Sequence, residues 1–212
     1  MKIALVDDHA VVREGYRALI SRQSDMEVVM EFSNASNAYD GIKDIDVDIL
    51  ITDLSMPGLS AIEMIERLRQ RKHGVKTFVF TMHSNVSFAK KALAAGAVGY
   101  VTKSSDPATL LHGLREVHLG RQYLSADIAQ QLALERFGSE SKLIDDLTVR
   151  EFEVLRLLVD GRGVDDIAMS LNLSPKTVRN VHYNVKKKLG ARDDIELVRY
   201  AIRSKIISVP EI

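Results

Sequence analysis

The sequence predicts an α/β domain with a parallel sheet, followed by a small all-helical domain. Up to about residue 122, short β-branched runs alternate with longer amphipathic stretches, whereas strand signals are absent after about residue 145. The stretch between them has weaker periodicity and contains a run of glycine and serine. A chain of 212 residues is long enough for two domains of ordinary size. We therefore assign residues 1–122 to the first domain, 123–145 to a linker and 146–212 to the second domain.

Five apolar runs predict the strands of the first domain, and each is followed by helical periodicity. The runs are almost continuously apolar, as in strands that are buried on both faces of a parallel sheet. The predicted strands are Ile3–Val6, Val28–Phe32, Ile49–Thr52, Thr77–Thr81 and Gly99–Thr102. The predicted helices are Val11–Ile20, Ala35–Ile42, Ala61–Leu68, Phe88–Ala95 and Leu110–Leu119. This alternation predicts a sheet covered by helices on both faces, although spacing alone does not give the strand order.

Local helix signals support these elements and predict the helices of the second domain. Ser60 to Glu63 is typical of a capping box, and Asp106 precedes a proline as an N-cap would. In the linker, Ala126–Phe137 has helical periodicity that stops at Gly138–Ser141. The second domain is predicted to contain helices that begin at the capping box Thr148–Glu151, at Val164, at Pro175 after the N-cap Ser174, and at Asp193.

Composition excludes several classes of protein. Lys and Arg total 29 and Asp and Glu total 29, so net charge does not indicate a partner. The chain has no cysteine, which excludes a disulfide framework, a thiolate metal site and a cysteine nucleophile. No apolar run approaches the roughly 20 residues of a membrane span, and the apolar N-terminal run is too short for a signal peptide. We therefore expect a cytoplasmic protein.

Polar side chains follow the predicted strands where each strand ends. Asp7 and Asp8 follow the first strand, Asp53 follows the third, Thr81 ends the fourth and Lys103 follows the fifth. Ligands of parallel α/β sheets bind outside the carboxyl ends of the strands. Three neighbouring carboxylates repel one another unless a cation lies among them, and their hard oxygen atoms favour Mg²⁺. Ionised Asp53 would then be placed to attack a phosphoryl donor. The alternative is that each aspartate is merely a solvated turn residue.

Four segments together resemble the receiver domains of two-component response regulators. They are Asp7-Asp8-His9, Asp53-Leu54-Ser55-Met56-Pro57-Gly58, Thr81-Met82-His83 and Gly99-Tyr100-Val101-Thr102-Lys103. The resemblance covers residues 1 to about 122. It implies a flavodoxin-like fold with a five-stranded parallel sheet in the order 2-1-3-4-5, and it implies that Asp53 is the phosphoacceptor.

The same resemblance implies a role for each site residue. Magnesium would be held by Asp8, Asp53 and the backbone carbonyl of Ser55, with Asp7 acting through water. Thr81 and Lys103 would contact the phosphoryl oxygens, and Tyr100 would be an aromatic switch that repositions as Thr81 moves. Ser55 and His83 occupy positions that tune dephosphorylation in the family. Two residues depart from the family pattern: Ala61 stands at a usual glycine, and Ser104 follows the lysine in place of a common proline.

A basic stretch in the second domain indicates nucleic-acid binding. Ser174–Arg192 contains six basic residues and no acidic one, whereas the preceding helices are acidic. The six are Lys176, Arg179, Lys186, Lys187, Lys188 and Arg192. This asymmetry suits a phosphate backbone, and a helix of this size fits the major groove. The rhythm of Val178, Val181, Val185 and Leu189 predicts the face that packs on the core. The alternative is an exposed, solvated basic face.

The second domain also resembles LuxR-type helix-turn-helix domains. The matching segments are Leu147–Leu155, Gly161, Asp166-Ile167-Ala168, Leu171, Ser174, Thr177–Asn180 and Lys188-Leu189-Gly190. With the receiver, they make the chain resemble NarL/FixJ-class response regulators. The resemblance implies that Pro175–Leu189 is the recognition helix and that the last helix, around Ile195, Val198 and Ile202, forms a dimer contact. The implied DNA-binding residues are Lys176, Thr177, Arg179, Asn180, Tyr183, Asn184, Lys187 and Lys188.

Two departures in this domain concern DNA binding. Val181 replaces a usual histidine, and Val164-Asp165-Asp166 is more acidic than the polar-basic turn common in the family. We hypothesise that the two carboxylates weaken non-specific DNA affinity, so that the protein depends more heavily on dimerisation.

The expected function is that of a phosphorylation-controlled transcription regulator. Its expected partners are a sensor histidine kinase, double-stranded DNA, a second copy of the chain and RNA polymerase. We expect that the protein is not a dedicated enzyme, although the receiver would catalyse its own phosphotransfer and slow dephosphorylation. A phosphatase with an aspartyl-phosphate intermediate would need a second carboxylate two residues after the nucleophile, where Ser55 stands. Two further alternatives are a constitutively dimeric DNA-binding protein and an RNA-binding protein.

Overall fold

The computed structural model describes residues 1–56, 58–71, 74–135, 144, 146–204 and 206–207. They fall into two compact units, Met1–Gln130 and Gln131–Ile212, and each is described by itself. The predicted turn at Gly138–Ser141 and Pro57 of the third receiver segment lie outside the described residues. Among the described helices, none has the length and apolarity that crossing a bilayer would require. The domain limits 1–122 and 146–212 stay a prediction.

The first unit is built on a parallel sheet. The described strands are β1 (Lys2–Val6), β2 (Glu27–Phe32), β3 (Ile49–Thr52), β4 (Lys76–Thr81), β5 (Gly99–Thr102) and β6 (Tyr123–Leu124). Their order is β2-β1-β3-β4-β5-β6, and every neighbouring pair is parallel. The predicted order 2-1-3-4-5 is therefore confirmed. The sixth strand was not predicted, since its two residues are too few to show a periodicity.

Helices cover both faces of this sheet. They are α1 (Ala10–Ser21), α2 (Ala35–Gly41), α3 (Ala61–Gln70), α4 (Val86–Ala95) and α5 (Pro107–His118), with a short 3₁₀ turn at Ile42–Asp44. Ile3 and Leu5 of β1 belong to one buried cluster, and Ala4 and Val6 belong to another. The alternation follows from the two-residue period of a strand, and it explains why β1 is apolar from Ile3 to Val6.

The starts of two helices test the capping signals. Asp106 accepts a hydrogen bond from the backbone N–H of Ala108 and precedes Pro107, as predicted. The predicted capping box at Ser60 is wrong, because Ser60 occupies the N-cap position but its side chain makes no capping hydrogen bond. Ala61 is the first residue of α3, and Asn172 is the sole non-glycine residue with positive φ among those described. Position 61 therefore does not require glycine.

The second unit contains four helices that correspond to the predicted ones. They are α7 (Val149–Val159), α8 (Val164–Leu171), α9 (Pro175–Leu189) and α10 (Asp194–Arg203), while α6 (Ala126–Glu135) crosses the boundary between the units in sequence. The capping box of Thr148 and Glu151 is present in full. Val154, Ile167 and Val178 share a buried core, which fixes the apolar face of α9 against α7 and α8.

Candidate functional site

The strand register brings the predicted acidic and basic residues to one edge of the sheet. Val6 pairs with Thr52, and β4 and β5 run two residues further before they end at the pair Thr81 and Thr102, so the residues that follow β1, β3 and β5 all leave the sheet at the same edge. The backbone N–H of Asp53 donates to the carbonyl of Val6 at 2.9 Å. The backbone N–H of Lys103 donates to the carbonyl of Thr81 at 2.7 Å. Backbone hydrogen bonds of the sheet therefore bring the predicted site residues together at the carboxyl ends of the strands.

Lys103 joins two of the carboxylates. Its Nζ donates to Asp7 Oδ2 at 2.6 Å and to Asp53 Oδ2 at 2.7 Å. The side chains of Lys103, Asp7 and Asp53 are only 9%, 9% and 4% exposed. Buried charges persist only when they are paired and hydrogen-bonded, so this cluster is not a set of solvated turn residues.

The surroundings keep the Asp53 carboxylate ionised. Burial by itself would raise the pKa of Asp53, but the hydrogen bond and charge of Lys103, a hydrogen bond from the Thr81 hydroxyl and one from the Ser55 backbone N–H hold it below its usual value. Burial would likewise lower the pKa of Lys103, and its bonds to Asp53 and Asp7 raise it overall. Both groups are therefore charged at neutral pH.

Asp8 lies beside Asp7 of this cluster and adds a further carboxylate. Its Oδ1 is buried and accepts no hydrogen bond among the described residues, although Nδ1 of His9 lies 2.9 Å away outside hydrogen-bonding geometry. Ligand atoms of Asp7, Asp8 and His9 lie within 4.8 Å of one another. A buried carboxylate oxygen without a donor beside the Asp7 carboxylate fits a hard divalent cation such as Mg²⁺.

A chain of hydrogen bonds leads from Asp53 to Tyr100. The Thr81 hydroxyl bonds to Asp53 and accepts the backbone N–H of His83 at 3.4 Å. The hydroxyl of Tyr100 donates to the backbone carbonyl of His83 at 2.8 Å, and the ring is fully buried. Burial also raises the pKa of Tyr100 well above its usual value, so its hydroxyl remains a donor. The two predicted switch residues are thus connected through one intervening residue.

Ser55 and His83 also contact each other. Ser55 Oγ and His83 Nε2 are 2.6 Å apart, and the imidazole stacks on the ring of Phe88 at 4.0 Å. Sequence reasoning missed Phe88 and also missed Arg13, whose Nη1 donates to the backbone carbonyl of Asp7 at 2.5 Å. The sequence does not indicate this role of Arg13, because every residue has a backbone carbonyl and the type of the accepting residue therefore gives no information.

The second unit presents the predicted DNA-contacting residues on one helix. All eight of them are exposed, while Val178, Val185 and Leu189 of the same helix are buried and Val181 is partly buried. The proline at the start of α9 follows the N-cap Ser174, which accepts the backbone N–H of Thr177 at 3.0 Å. The exposed face of α9 is therefore polar and basic, as a nucleic-acid interface requires.

The three consecutive lysines of α9 differ in their partners. Lys188 donates to Glu151 at 2.7 Å and to the backbone carbonyl of Asp146 at 3.3 Å. Lys186 donates to Asp194 at 3.1 Å. Within the part of the chain that the structure describes, no ion pair or side-chain hydrogen bond involves Lys187. Lys187 is accordingly the member of the run that is best placed to bind a phosphate.

Comparison with known protein families identifies both units of the chain. Residues 3–115 match the family model of the response regulator receiver domain, and residues 145–201 match that of the bacterial regulatory proteins of the luxR family. The chain is a response regulator. The order of its two domains places it in the NarL/FixJ class.

Relatives that match nearly the whole chain agree with its assignment as a response regulator. The chain is 34% identical over 205 residues to the response regulator UvrY of Escherichia coli K12, with 96% of this chain and 94% of UvrY covered. It is 37% identical to the transcriptional regulatory protein UhpA of the same strain, with 93% and 95% covered. Among solved structures, RcsB of Salmonella enterica serovar Typhimurium, bound to the promoter P1flhDC with the phosphomimetic BeF₃⁻, is 30% identical. That similarity has a TM-score of 0.71 and covers 94% of this chain and 97% of RcsB.

Proposed function

We propose that Asp53 is the phosphoacceptor of this response regulator and that its phosphorylation controls dimerisation and promoter binding. The observation that carries the proposal is the buried cluster in which Lys103 holds Asp53 and Asp7 at the carboxyl ends of three strands. An ionised carboxylate beside a fixed ammonium is a nucleophile whose product charge is already neutralised.

In the proposed reaction, a carboxylate oxygen of Asp53 forms a bond to phosphorus and the bond from phosphorus to the donor breaks. The donor is a phosphohistidine of a sensor histidine kinase or a small acyl phosphate. Lys103 and Thr81 contact the phosphoryl oxygens. Mg²⁺ would be held by Asp8, Asp53 and the carbonyl of Ser55, with Asp7 acting through water, and when bound it would neutralise the charge of the transferred group. The protein thus catalyses its own phosphotransfer and slow dephosphorylation and has no other enzymatic role.

The signal would leave the site through the bonds that join Thr81 to Tyr100. When the Thr81 hydroxyl turns to a phosphoryl oxygen, the backbone of His83 follows it, because its N–H bonds to that hydroxyl. The carbonyl of His83 holds the Tyr100 hydroxyl, so the aromatic ring repositions with it. The surface around Tyr100 therefore differs between the two forms of the protein.

The output is binding to double-stranded DNA as a homodimer. Arg179, Asn180 and Tyr183 would reach base edges in the major groove, and Lys176, Thr177, Asn184 and Lys187 would contact phosphates. Lys188 contributes less, since Glu151 already binds it. Ile195 and Ile202 are exposed on α10 and suit a dimer contact. The solved complex of RcsB with a promoter and a phosphomimetic supports this output. RNA polymerase is a further proposed partner, and the proposed location is the cytoplasm.

Phosphorylation and its consequence can be tested separately. The chain is incubated with acetyl phosphate and Mg²⁺, and peptide mass spectrometry locates the added phosphoryl group. Asp53→Asn should remove the label, whereas Asp46→Asn, at an exposed position, should not. Light scattering and fluorescence anisotropy with beryllofluoride then measure dimerisation and DNA affinity. A labelled protein whose dimerisation and affinity stay unchanged would favour the constitutively dimeric alternative, and absence of label would refute the phosphoacceptor.

A further inference from the structure

One carboxylate at the start of α10 holds two side chains of the recognition helix α9. Asp194 Oδ1 lies 2.8 Å from His182 Nε2 and 3.1 Å from Lys186 Nζ. His182 and Lys186 are four residues apart, which places them one turn apart on the same face of α9. Asp194, His182 and Lys186 thus form a polar cluster that connects α9 to the start of α10.

The two donors of this cluster are largely enclosed. The side chains of His182 and Lys186 are 16% and 28% exposed, whereas that of Asp194 is 67% exposed. Burial raises the pKa of Asp194, but the bonds and charges of Lys186 and His182 hold it below its usual value. An isolated exposed ion pair contributes little, but here one ionised oxygen binds two confined donors at once.

The position of Lys186 on the helix gives this cluster a consequence for DNA binding. Lys186 lies seven residues after Arg179, about two turns further along the same side of α9. A free lysine there would lie at the edge of the face that we propose to contact DNA. Contacts of lysine with phosphates add affinity for any sequence and carry no sequence information.

We propose that Asp194 is a positioning residue that withholds Lys186 from DNA phosphates and so limits sequence-independent binding. The inference rests on the proposed DNA-contacting face of α9. Asp194 acts by fixing Lys186 and His182 against α10, and its exposed carboxylate adds repulsion toward any phosphate nearby. Non-specific sites greatly outnumber specific ones in a genome, so a regulator with a lower non-specific affinity is sequestered less.

The test compares two neighbouring aspartates in the full-length chain. Asp194→Asn removes the negative charge that binds Lys186 and leaves a neutral amide oxygen in its place, whereas Asp193→Asn removes the same charge one position earlier. Asp193 is the N-cap of α10 and accepts the backbone N–H of Glu196, a role that asparagine also fills. Fluorescence anisotropy with a random-sequence duplex gives the slope of log K against log salt concentration. For Asp194→Asn we expect that slope to be steeper by about 0.9, the value for one added phosphate contact, and for Asp193→Asn we expect no such change.

Variants at Lys186 decide the result even if Asp194→Asn were unstable. Lys186→Gln should restore the ordinary slope in the Asp194→Asn background, and it should leave the slope unchanged in the wild-type background. Equal slopes for the two asparagine variants would overturn the inference. A loss of about 0.9 in the slope for Lys186→Gln alone would also overturn it, because Lys186 would then already bind a phosphate. Absence of salt-dependent binding by the wild-type chain would instead refute the proposed interface.

Discussion

Replacing Lys103 by methionine tests the electrostatics of the proposed phosphoacceptor site directly. The side chain keeps an unbranched apolar stem but loses the ammonium that binds Asp7 Oδ2 at 2.6 Å and Asp53 Oδ2 at 2.7 Å. These distances put the two buried carboxylate oxygens at most about 5 Å apart, where two like charges repel by at least about 3 kcal/mol at an effective dielectric constant of about 20. Breaking a buried ion pair from one side typically costs about 3–5 kcal/mol, which agrees with this value. We expect Lys103→Met to lower the free energy of unfolding of the first unit by about 3 kcal/mol in EDTA.

The effect of Mg²⁺ on this variant provides the second half of the test. A divalent cation among the carboxylates supplies the missing positive charge, so the loss of stability should shrink when Mg²⁺ replaces EDTA. Hydrogen-exchange mass spectrometry across a urea series follows peptides of each unit separately. The matched control is Lys76→Met, which also removes one charge from the first unit, but from a lysine that donates to the backbone carbonyl of His118. The reasoning is refuted if both variants are equally stable in EDTA, and its cation part is refuted if Mg²⁺ does not reduce the difference.

Three further predictions concern the switch and the DNA-binding domain. Tyr100→Phe removes a hydrogen bond that contributes about 1 kcal/mol to the buried position of the ring, so anisotropy should show a beryllofluoride-induced gain in DNA affinity that is roughly fivefold smaller. Lys187→Ala should lower the slope of log K against log salt concentration by about 0.9, whereas Lys188→Ala should mainly lower the urea midpoint, because it leaves a buried glutamate without its ammonium partner. Asp165→Asn with Asp166→Asn should raise affinity for random DNA at low salt and lower thermal stability, since both carboxylates lie in the first turn of α8. Unchanged affinity in that double variant would remove the hypothesis that these acids weaken non-specific binding.

The receiver site was predictable because its residues lie at or directly after the ends of the predicted strands. In a parallel sheet the carboxyl ends lie at one edge, so Asp7, Asp53 and Lys103 could be grouped without knowing the strand order. The structure adds that Lys103 binds both aspartates. Which oxygen meets which nitrogen depends on rotamers and loop geometry, and neither has a periodicity in the sequence. The two-residue strand β6 and the missing capping bond of Ser60 were beyond prediction for the same reason.

The proposed recognition helix α9 shows that a count of charged residues does not tell which lysines are available to bind DNA. Its buried face follows from the spacing of Val178 and Val185, and both are buried. The basic run next to that face predicts an interface but assigns every lysine the same role. The structure separates them, since Lys186 binds a residue eight positions away and Lys188 binds one that is 37 positions away. An acid brought close only by the fold can neutralise a lysine that sequence reasoning counts as a DNA contact. The number of phosphates that we propose α9 to bind therefore depends on its neighbours α7 and α10 as much as on its own charge, and the salt slope of DNA binding would measure that number.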